Sequence, residues 1–246
     1  EAVSFLKHKR RTDLKAEDSW YPWIGHGKGD ELIISFDYHI CWDRDAHARG
    51  HGPQRHDAYF MTFNTKTGVW KNVEGKELTI PLTKEDADKH TLAWDSGKLW
   101  TFNGSSDLDA NGFPHIAINA GKDLGQKAGG PKNTEHIVWD GKEWIANGSV
   151  NAKTTGMSRG DFEILENGDI RYLLADQDND DAVLAYWRST DNGKTFVKER
   201  ELLRRPNASF AITTLIKDAH PDAKILVAEK AKGNPNHKIY LVGDNG

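Results

Sequence analysis

Short apolar runs alternate with polar turn residues along most of the chain, and this pattern predicts an all-β protein. β-branched and aromatic residues dominate the runs, as is typical of strands. One segment predicts a helix, because Thr83 is a cap-like residue followed by acidic residues, and we expect this helix to end at about Asp88. The predicted strands are Glu31–Tyr38, Ala58–Phe63, His136–Trp139, Ile170–Ala175, Ala182–Trp187, Ile212–Ile216, Lys224–Ala228 and Lys238–Val242.

Pairs of a polar residue and glycine separate many of these runs and predict tight hairpins, because such turns need positive φ angles. The glycines concerned are Gly68, Gly97, Gly141, Gly168 and Gly193. An aromatic residue follows four of them, and Gly141 follows Gly97 by 44 residues while Gly193 follows Gly141 by 52. Propeller blades repeat at roughly 40–50 residues, although a β-sandwich also contains hairpins and aromatic residues.

The segment Ser189–Phe196 favours the propeller. It reads S-T-D-N-G-K-T-F and resembles the Asp box, a turn in which the aspartate binds its own backbone and the aromatic residue fills the space between strands. In propellers this turn marks an outer hairpin, away from the active face. We therefore predict a single domain over residues 1–246, built of four-stranded antiparallel blades, with roughly five blades in this length.

Composition and charge restrict the classes of function. A hydrophobic content of 37% with nine Trp indicates a folded chain, and the net charge of −4 argues against nucleic acid as a partner. No apolar run is long enough to cross a membrane. The single cysteine, Cys41, excludes an intramolecular disulfide. The chain begins at Glu1 without an apolar leader, and we expect a mature form whose leader has been removed.

Two histidines stand in similar local contexts. His115 follows Gly112-Phe113-Pro114, and His136 follows Thr134-Glu135, 21 residues later. Each precedes a short β run, so we expect both to lie at strand ends on one face. Tyr172 lies in a later strand, and Arg188 comes directly before the Asp box-like segment.

This combination resembles the BNR-repeat polysaccharide lyases, and among them the long-form ulvan lyases, most closely between Leu99 and Phe196. The resemblance implies a bacterial protein that is secreted, or lies at the cell surface or in the periplasm. It also implies a seven-bladed propeller and cleavage of an acidic polysaccharide such as ulvan by β-elimination beside a uronate. Seven blades need more residues than 246, so we expect C-terminal blades to be missing from this chain. We also expect a monomer whose chemistry requires no cofactor, with room for a structural calcium or zinc ion.

The resemblance also implies roles for these residues. Arg188 would neutralise the uronate carboxylate, with His136 helping to bind it or holding His115 in place. His115 suits a base near neutral pH. Tyr172 would protonate the leaving oxygen or act as the base. Purely structural interpretations remain open. His115 could be a loop histidine, and His136 could form a hydrogen bond within its hairpin. Tyr172 could be a core aromatic residue, and Arg188 could form an ion pair between blades.

A stretch rich in histidine and arginine predicts a second part of the substrate site. We expect Arg44, Arg49, Arg55 and His56 to line the groove and bind sulfate and carboxylate groups. A zinc site is the alternative, since the stretch also contains His39, Cys41, His47 and His51.

Other functions fit the same scaffold. A sialidase-like hydrolase would use an arginine triad, for which Arg171, Arg188 and Arg204 are available, but the usual Arg-Ile-Pro start is absent. A non-catalytic carbohydrate-binding propeller would stack sugars on tryptophans. A protein scaffold is neither favoured nor excluded.

Overall fold

A computed structural model describes residues 4–43, 55–121, 132–154 and 160–246. Within these ranges the chain forms seventeen strands, the helix α1 (Lys84–His90) and a 3-10 turn at Pro221–Ala223. The strands are β1 (Lys9–Arg10), β2 (Ala16–His26), β3 (Glu31–Trp42), β4 (Arg55–Asn64), β5 (Trp70–Lys71), β6 (Leu92–Trp94), β7 (Trp100–Leu108), β8 (Pro114–Gly121), β9 (Lys132–Trp139), β10 (Trp144–Thr154), β11 (Gly160–Ile164), β12 (Ile170–Asp178), β13 (Asp181–Ser189), β14 (Val197–Arg205), β15 (Ala208–Leu215), β16 (Ile225–Ala231) and β17 (His237–Val242).

These strands form four antiparallel sheets in chain order. Sheet 1 contains β1 to β6, sheet 2 contains β7 to β10, sheet 3 contains β11 to β14, and sheet 4 contains β15 to β17. The inner strands of successive sheets lie side by side, because β7 contacts β2, β11 contacts β7 and β15 contacts β11. The sheets therefore radiate from a shared centre, and the prediction of an all-β propeller with antiparallel blades is confirmed.

The core lies between the sheets, because most sheets bury both faces. Adjacent residues of a strand point to opposite faces. On β12, Tyr172 packs toward sheet 2 with Ala117 and Val150. Its neighbour Leu173 packs toward sheet 4 with Val227. The interface between sheets 2 and 3 is thus a distinct apolar layer.

Local signals in the sequence correspond closely to local structure. Thr83 caps α1 through a capping box with Asp86, and the helix extends two residues beyond the predicted end. All five predicted turn glycines have positive φ angles, from +58° at Gly97 to +96° at Gly141.

The number of blades differs from the prediction. The described residues form four sheets rather than about five, because sheet 1 takes a long stretch, residues 9–94, that includes α1. The glycine spacing was also misinterpreted. Gly97 precedes the inner strand β7, whereas Gly141 and Gly193 each join the third and fourth strands of a sheet. Only the second interval therefore measures a blade.

The inner strands border an open cleft at the centre. Its volume is about 940 Å³, and its lining comes mainly from β2, β7, β11 and the end of β15. Among the helices of the described residues, none has the length and apolar character to cross a membrane.

Candidate active site

Three of the predicted site residues meet between sheets 2 and 3. Nδ1 of His115 on β8 lies 3.0 Å from Nε2 of His136 on β9. The other ring nitrogen of His136, Nδ1, lies 2.7 Å from the hydroxyl of Tyr172 on β12. We call this row of three hydrogen-bonded side chains the His-His-Tyr chain. It runs across the boundary between two blades.

Strand register explains why the two histidines meet. His115 is opposite Val138, and Ala117 is opposite His136, so both imidazoles project from the same face of sheet 2. His115 is the second residue of β8, close to the end of the strand, as predicted. His136 lies in the middle of β9 rather than at its start, so the expectation that both histidines open strands is wrong for His136.

The turn before β8 holds His115 at the rim of the sheet. Asp109 accepts a hydrogen bond of 2.7 Å from the backbone N–H of Phe113, and Gly112 has a φ of +85°. This turn places the negative charge of Asp109 near His115, where it favours the protonated imidazole.

Aromatic rings enclose the inner part of the His-His-Tyr chain. The rings of Phe162 and Phe196 pack edge-on against His136, with centroid distances of 5.9 and 5.8 Å. Phe162 also stacks on Tyr172 at 5.2 Å. His115 is 2% exposed, and His136 and Tyr172 are fully buried. Water is therefore largely excluded from both hydrogen bonds, which strengthens them.

Burial determines the charge of each group. It lowers the pKa of His115 to about 4, and it lowers the pKa of His136 to about 3 with help from repulsion by His115. Burial also raises the pKa of Tyr172 well above its ordinary value, and the nearby Glu135 and Asp161 carboxylates add to this. At neutral pH both imidazoles are uncharged and the phenol keeps its proton.

Each neutral imidazole has one N–H donor and one acceptor nitrogen, so the two hydrogen bonds of the His-His-Tyr chain must point the same way along it. In one arrangement Tyr172 donates to Nδ1 of His136, whose Nε2–H donates to Nδ1 of His115. In the other arrangement both donors are reversed. Converting the first arrangement into the second moves one proton across each link, while His115 releases its Nε2 proton and the Tyr172 oxygen takes up another, so the His-His-Tyr chain can transfer a proton from one end to the other.

The buried histidines predict a loss of stability in acid. The unfolded pKa of His115 is near 6.5 and the folded value is about 4, so the unfolded state binds more protons between these values. The stabilisation is complete above pH 6.5 and disappears as the pH falls toward 4, on the order of 3 kcal/mol for His115. Urea unfolding at several pH values in this range gives the free energy of unfolding as a function of pH. This dependence should have a flatter slope for His115→Asn than for wild type. The exposed control His220→Asn should keep the wild-type slope, and equal slopes in all three proteins would contradict the burial of His115.

Arg188 does not join the three residues. Tyr172 pairs with Trp187 across β12 and β13, so Arg188, the next residue, projects from the opposite face of sheet 3. Its guanidinium lies 2.5 Å from Asp169 and 3.5 Å from Glu199. The strand register thus places Arg188 away from the His-His-Tyr chain, although it was expected beside these residues. Its role in a reaction remains a prediction.

Arg55 does not line an open basic groove in this structure. This guanidinium is buried, lies 2.6 Å from Asp37, and stacks over the rings of Tyr21 and Phe102. It compensates a buried carboxylate and does not face solvent. His56 is half-buried on the same strand. Arg44, Arg49, His47 and His51 lie outside the described residues.

A metal site finds no support among the residues that the structure describes. In those ranges, no three His, Cys, Asp or Glu side chains are grouped so that they could hold an ion. His39 and Cys41 belong to β3, where His39 is buried beside the ring of Tyr21. The predicted structural calcium or zinc ion remains untested.

Phe162, Phe196 and Gly193 surround His136 but were not among the predicted site residues. Phe196 and Gly193 belong to the Asp box-like segment, which was interpreted only as a marker of fold. Phe162 lies on β11, a strand of five residues that the sequence pattern did not predict. The apolar–polar alternation of Asp161, Phe162 and Glu163 was the available signal.

Comparison with known proteins extends these observations. No protein-family model matches the chain. It is 56% identical over 246 residues to an ulvan lyase of Alteromonas sp. (strain LOR), covering 99% of this chain and 50% of that protein. A solved structure of a PL25 ulvan lyase matches with 54% identity and a TM-score of 0.90, over 99% of this chain and 56% of that one.

A second solved structure shows a PL25 ulvan lyase bound to -[GlcA(1-4)Rha3S]-. It matches with 53% identity and a TM-score of 0.88, again over 99% of this chain and 56% of the other. The chain therefore spans about half the length of the relatives it matches. Over nearly its entire length, this propeller-like chain is similar to about half of the length of a PL25 ulvan lyase.

Proposed function

We propose that the protein is a polysaccharide lyase that cleaves ulvan by β-elimination next to a uronic acid. The observation that carries the proposal is the His-His-Tyr chain, which joins a neutral base to a protonated phenol through one imidazole. The identity of 53–56% to ulvan lyases, one of them bound to a uronate-containing oligosaccharide, supports the choice of substrate.

The reaction needs a base and an acid. A base removes the proton from C5 of the uronate, and the electron pair left behind forms a double bond between C5 and C4. The bond from C4 to the glycosidic oxygen breaks, and an acid protonates that oxygen. Each event therefore yields one unsaturated uronate and one new reducing end.

The protonation states at neutral pH are compatible with these two roles. We propose that neutral His115, with its acceptor nitrogen free of a proton, is the base. The raised pKa of Tyr172 keeps its phenol protonated, which suits the acid. His136 contacts both residues and would return the proton from His115 to Tyr172 after each turnover. These steps are proton transfers and require no cofactor.

The carboxylate of the substrate must also be neutralised. Arg188 remains our proposal for this cation, with the condition that its guanidinium leaves Asp169 and Glu199 and reaches the side of sheet 3 that carries Tyr172 when substrate binds. A carboxylate of the substrate would then replace a carboxylate of the protein, which limits the cost of the exchange.

Two wider proposals accompany this function. Ulvan is a large polymer, so we propose that the protein is secreted. We also propose that further blades complete the ring and cover sheet 4. On β17, Ile239 is 71% exposed and Leu241 is 60% exposed, and both lie on one strand face. Exposed apolar patches of this kind mark sites of association.

Product counting tests the proposed function. The protein is incubated with ulvan, and the unsaturated uronates, measured by ultraviolet absorbance, are compared with the new reducing ends. We expect about one unsaturated uronate for each reducing end, as the stoichiometry of elimination requires. Reducing ends without absorbance would indicate a hydrolase, and binding without either product would indicate a lectin. Either result would refute the lyase.

A further inference from the structure

The turn between β13 and β14 lies against His136, the middle residue of the His-His-Tyr chain. This turn, Ser189–Phe196, connects the two outer strands of sheet 3. A Cβ atom at Gly193 would lie 2.8 Å from Nε2 of His136 and closer still to Cδ2. Nothing larger than the hydrogen of glycine fits between the turn and the imidazole.

Phe196 adds a second contact from the same turn. Its ring packs edge-on against His136 at 5.8 Å and against Tyr172 at 5.1 Å. Phe196 therefore touches both partners of the shorter hydrogen bond in the His-His-Tyr chain. One turn limits the position of His136 from two sides.

Internal hydrogen bonds make this turn rigid. Asp191 accepts from the hydroxyl of Ser189 at 2.7 Å, and from both the backbone N–H (2.9 Å) and the hydroxyl (2.7 Å) of Thr195. The backbone N–H of Gly193 donates to the Ser189 hydroxyl at 2.8 Å. Two of these four bonds hold the backbone itself, and all four lie within the turn.

The turn is also fixed to the sheet that carries His136. The side-chain amide of Asn147 on β10 donates to the carbonyl of Asn192. A Cβ atom at Gly148 would lie 2.5 Å from the carbonyl oxygens of both Gly193 and Lys194. Sheets 2 and 3 are thus in backbone contact beside His136, and the turn bridges the two blades that share the His-His-Tyr chain.

We propose that Gly193 and Phe196 are positioning residues, which hold the His136 imidazole between His115 and Tyr172 and so make the rate of elimination depend on the Ser189–Phe196 turn. This inference rests on the proposed function for its effect on rate. Its effect on the geometry of His136 does not depend on that function. A group displaced by about 1 Å can cost about 10²-fold in rate.

Sheet 3 contains a matched control. Gly168 has a φ of +87° in the turn between β11 and β12, and Gly193 has a φ of +84°. A Cβ atom at Gly168 would meet nothing within 4 Å. Gly168→Ala therefore introduces the same backbone strain as Gly193→Ala, without the clash against an imidazole.

The test compares these two variants in kinetics and in NMR of the ¹⁵N-labelled histidines. For Gly193→Ala we expect kcat to fall about 10²-fold with little change in KM, and the resonances of His136 to move. Gly168→Ala should leave kcat and those resonances as in wild type. Equal kcat values, or unmoved His136 resonances in Gly193→Ala, would overturn the proposal.

A second variant covers failure of Gly193→Ala to fold. Phe196→Leu keeps the turn glycine and an apolar side chain, but removes the ring that touches His136 and Tyr172. We expect the same lowered kcat and shifted His136 resonances, and wild-type values for both would overturn the proposal. If the wild-type protein forms no unsaturated product, the proposed function fails, and the NMR comparison alone decides whether the turn positions His136.

Discussion

Replacing Tyr172 with Phe should reduce elimination about 10²–10⁴-fold, the usual cost of removing a positioned acid or base. The substitution deletes one hydroxyl and keeps the ring that stacks on Phe162, so the protein should stay folded. It also leaves Nδ1 of His136 without its partner at 2.7 Å. Initial rates on ulvan, with circular dichroism to check the fold, measure this effect.

Tyr186 supplies the control for this experiment. It is a fully buried tyrosine on the adjacent strand β13, and its hydroxyl donates to Asp244 on the opposite side of sheet 3. Tyr186→Phe removes a buried hydroxyl of the same kind without touching the His-His-Tyr chain. We expect its rate to remain near that of wild type. Equal losses in both variants would show that the rate responds to damage in the sheet, not to the acid.

Arg55→Met should lower the free energy of unfolding by about 3–5 kcal/mol, because it leaves the buried carboxylate of Asp37 without its partner. The Arg55 guanidinium is 2.6 Å from that carboxylate, and burial already raises the pKa of Asp37 to about 7. Urea denaturation measures the loss. The double variant Asp37→Leu with Arg55→Met should recover much of it, since an apolar pair of similar volume replaces the ion pair.

An exposed ion pair gives the contrasting case. Arg204 bridges Asp178, Asp181 and Glu201 at the surface, where solvent screens the charges, so Arg204→Met should lower the free energy of unfolding far less than Arg55→Met does. The Arg55→Met variant also separates two interpretations of Arg55, as a ligand of the substrate and as the partner of a buried carboxylate. If Arg55→Met raises KM for ulvan while stability stays unchanged, Arg55 binds substrate, and the buried ion pair is not its main role.

Local chemistry made much of the fold predictable. The capping box at Thr83 and the positive φ angles of the turn glycines depend on neighbouring residues only, and both were readable. Strands β3, β12 and β13 are apolar because both faces are buried. By contrast, β14 reads VKERELLRR and is largely exposed at the edge of its sheet, so it carries no apolar signal.

The site was predictable only in part, because its assembly depends on register between strands. His115, His136 and Tyr172 were identified by residue type and family resemblance, and the structure brings them together. Arg188 was expected beside them, yet pairing of Tyr172 with Trp187 sends it to the other face. A shift of one residue reverses every side chain of a strand, and the sequence pattern does not reveal such pairing.

Histidine NMR tests the central claim, that His115 and His136 form a neutral, hydrogen-bonded chain with Tyr172. Nitrogen-15 spectra of labelled wild-type protein are recorded from about pH 7 down to about pH 5, where an ordinary imidazole becomes protonated. We predict that His115 and His136 stay neutral throughout, and that Tyr172→Phe shifts the His136 nitrogens whereas Tyr186→Phe does not. Titration of both histidines near pH 6.5, with no response to Tyr172→Phe, would contradict the account.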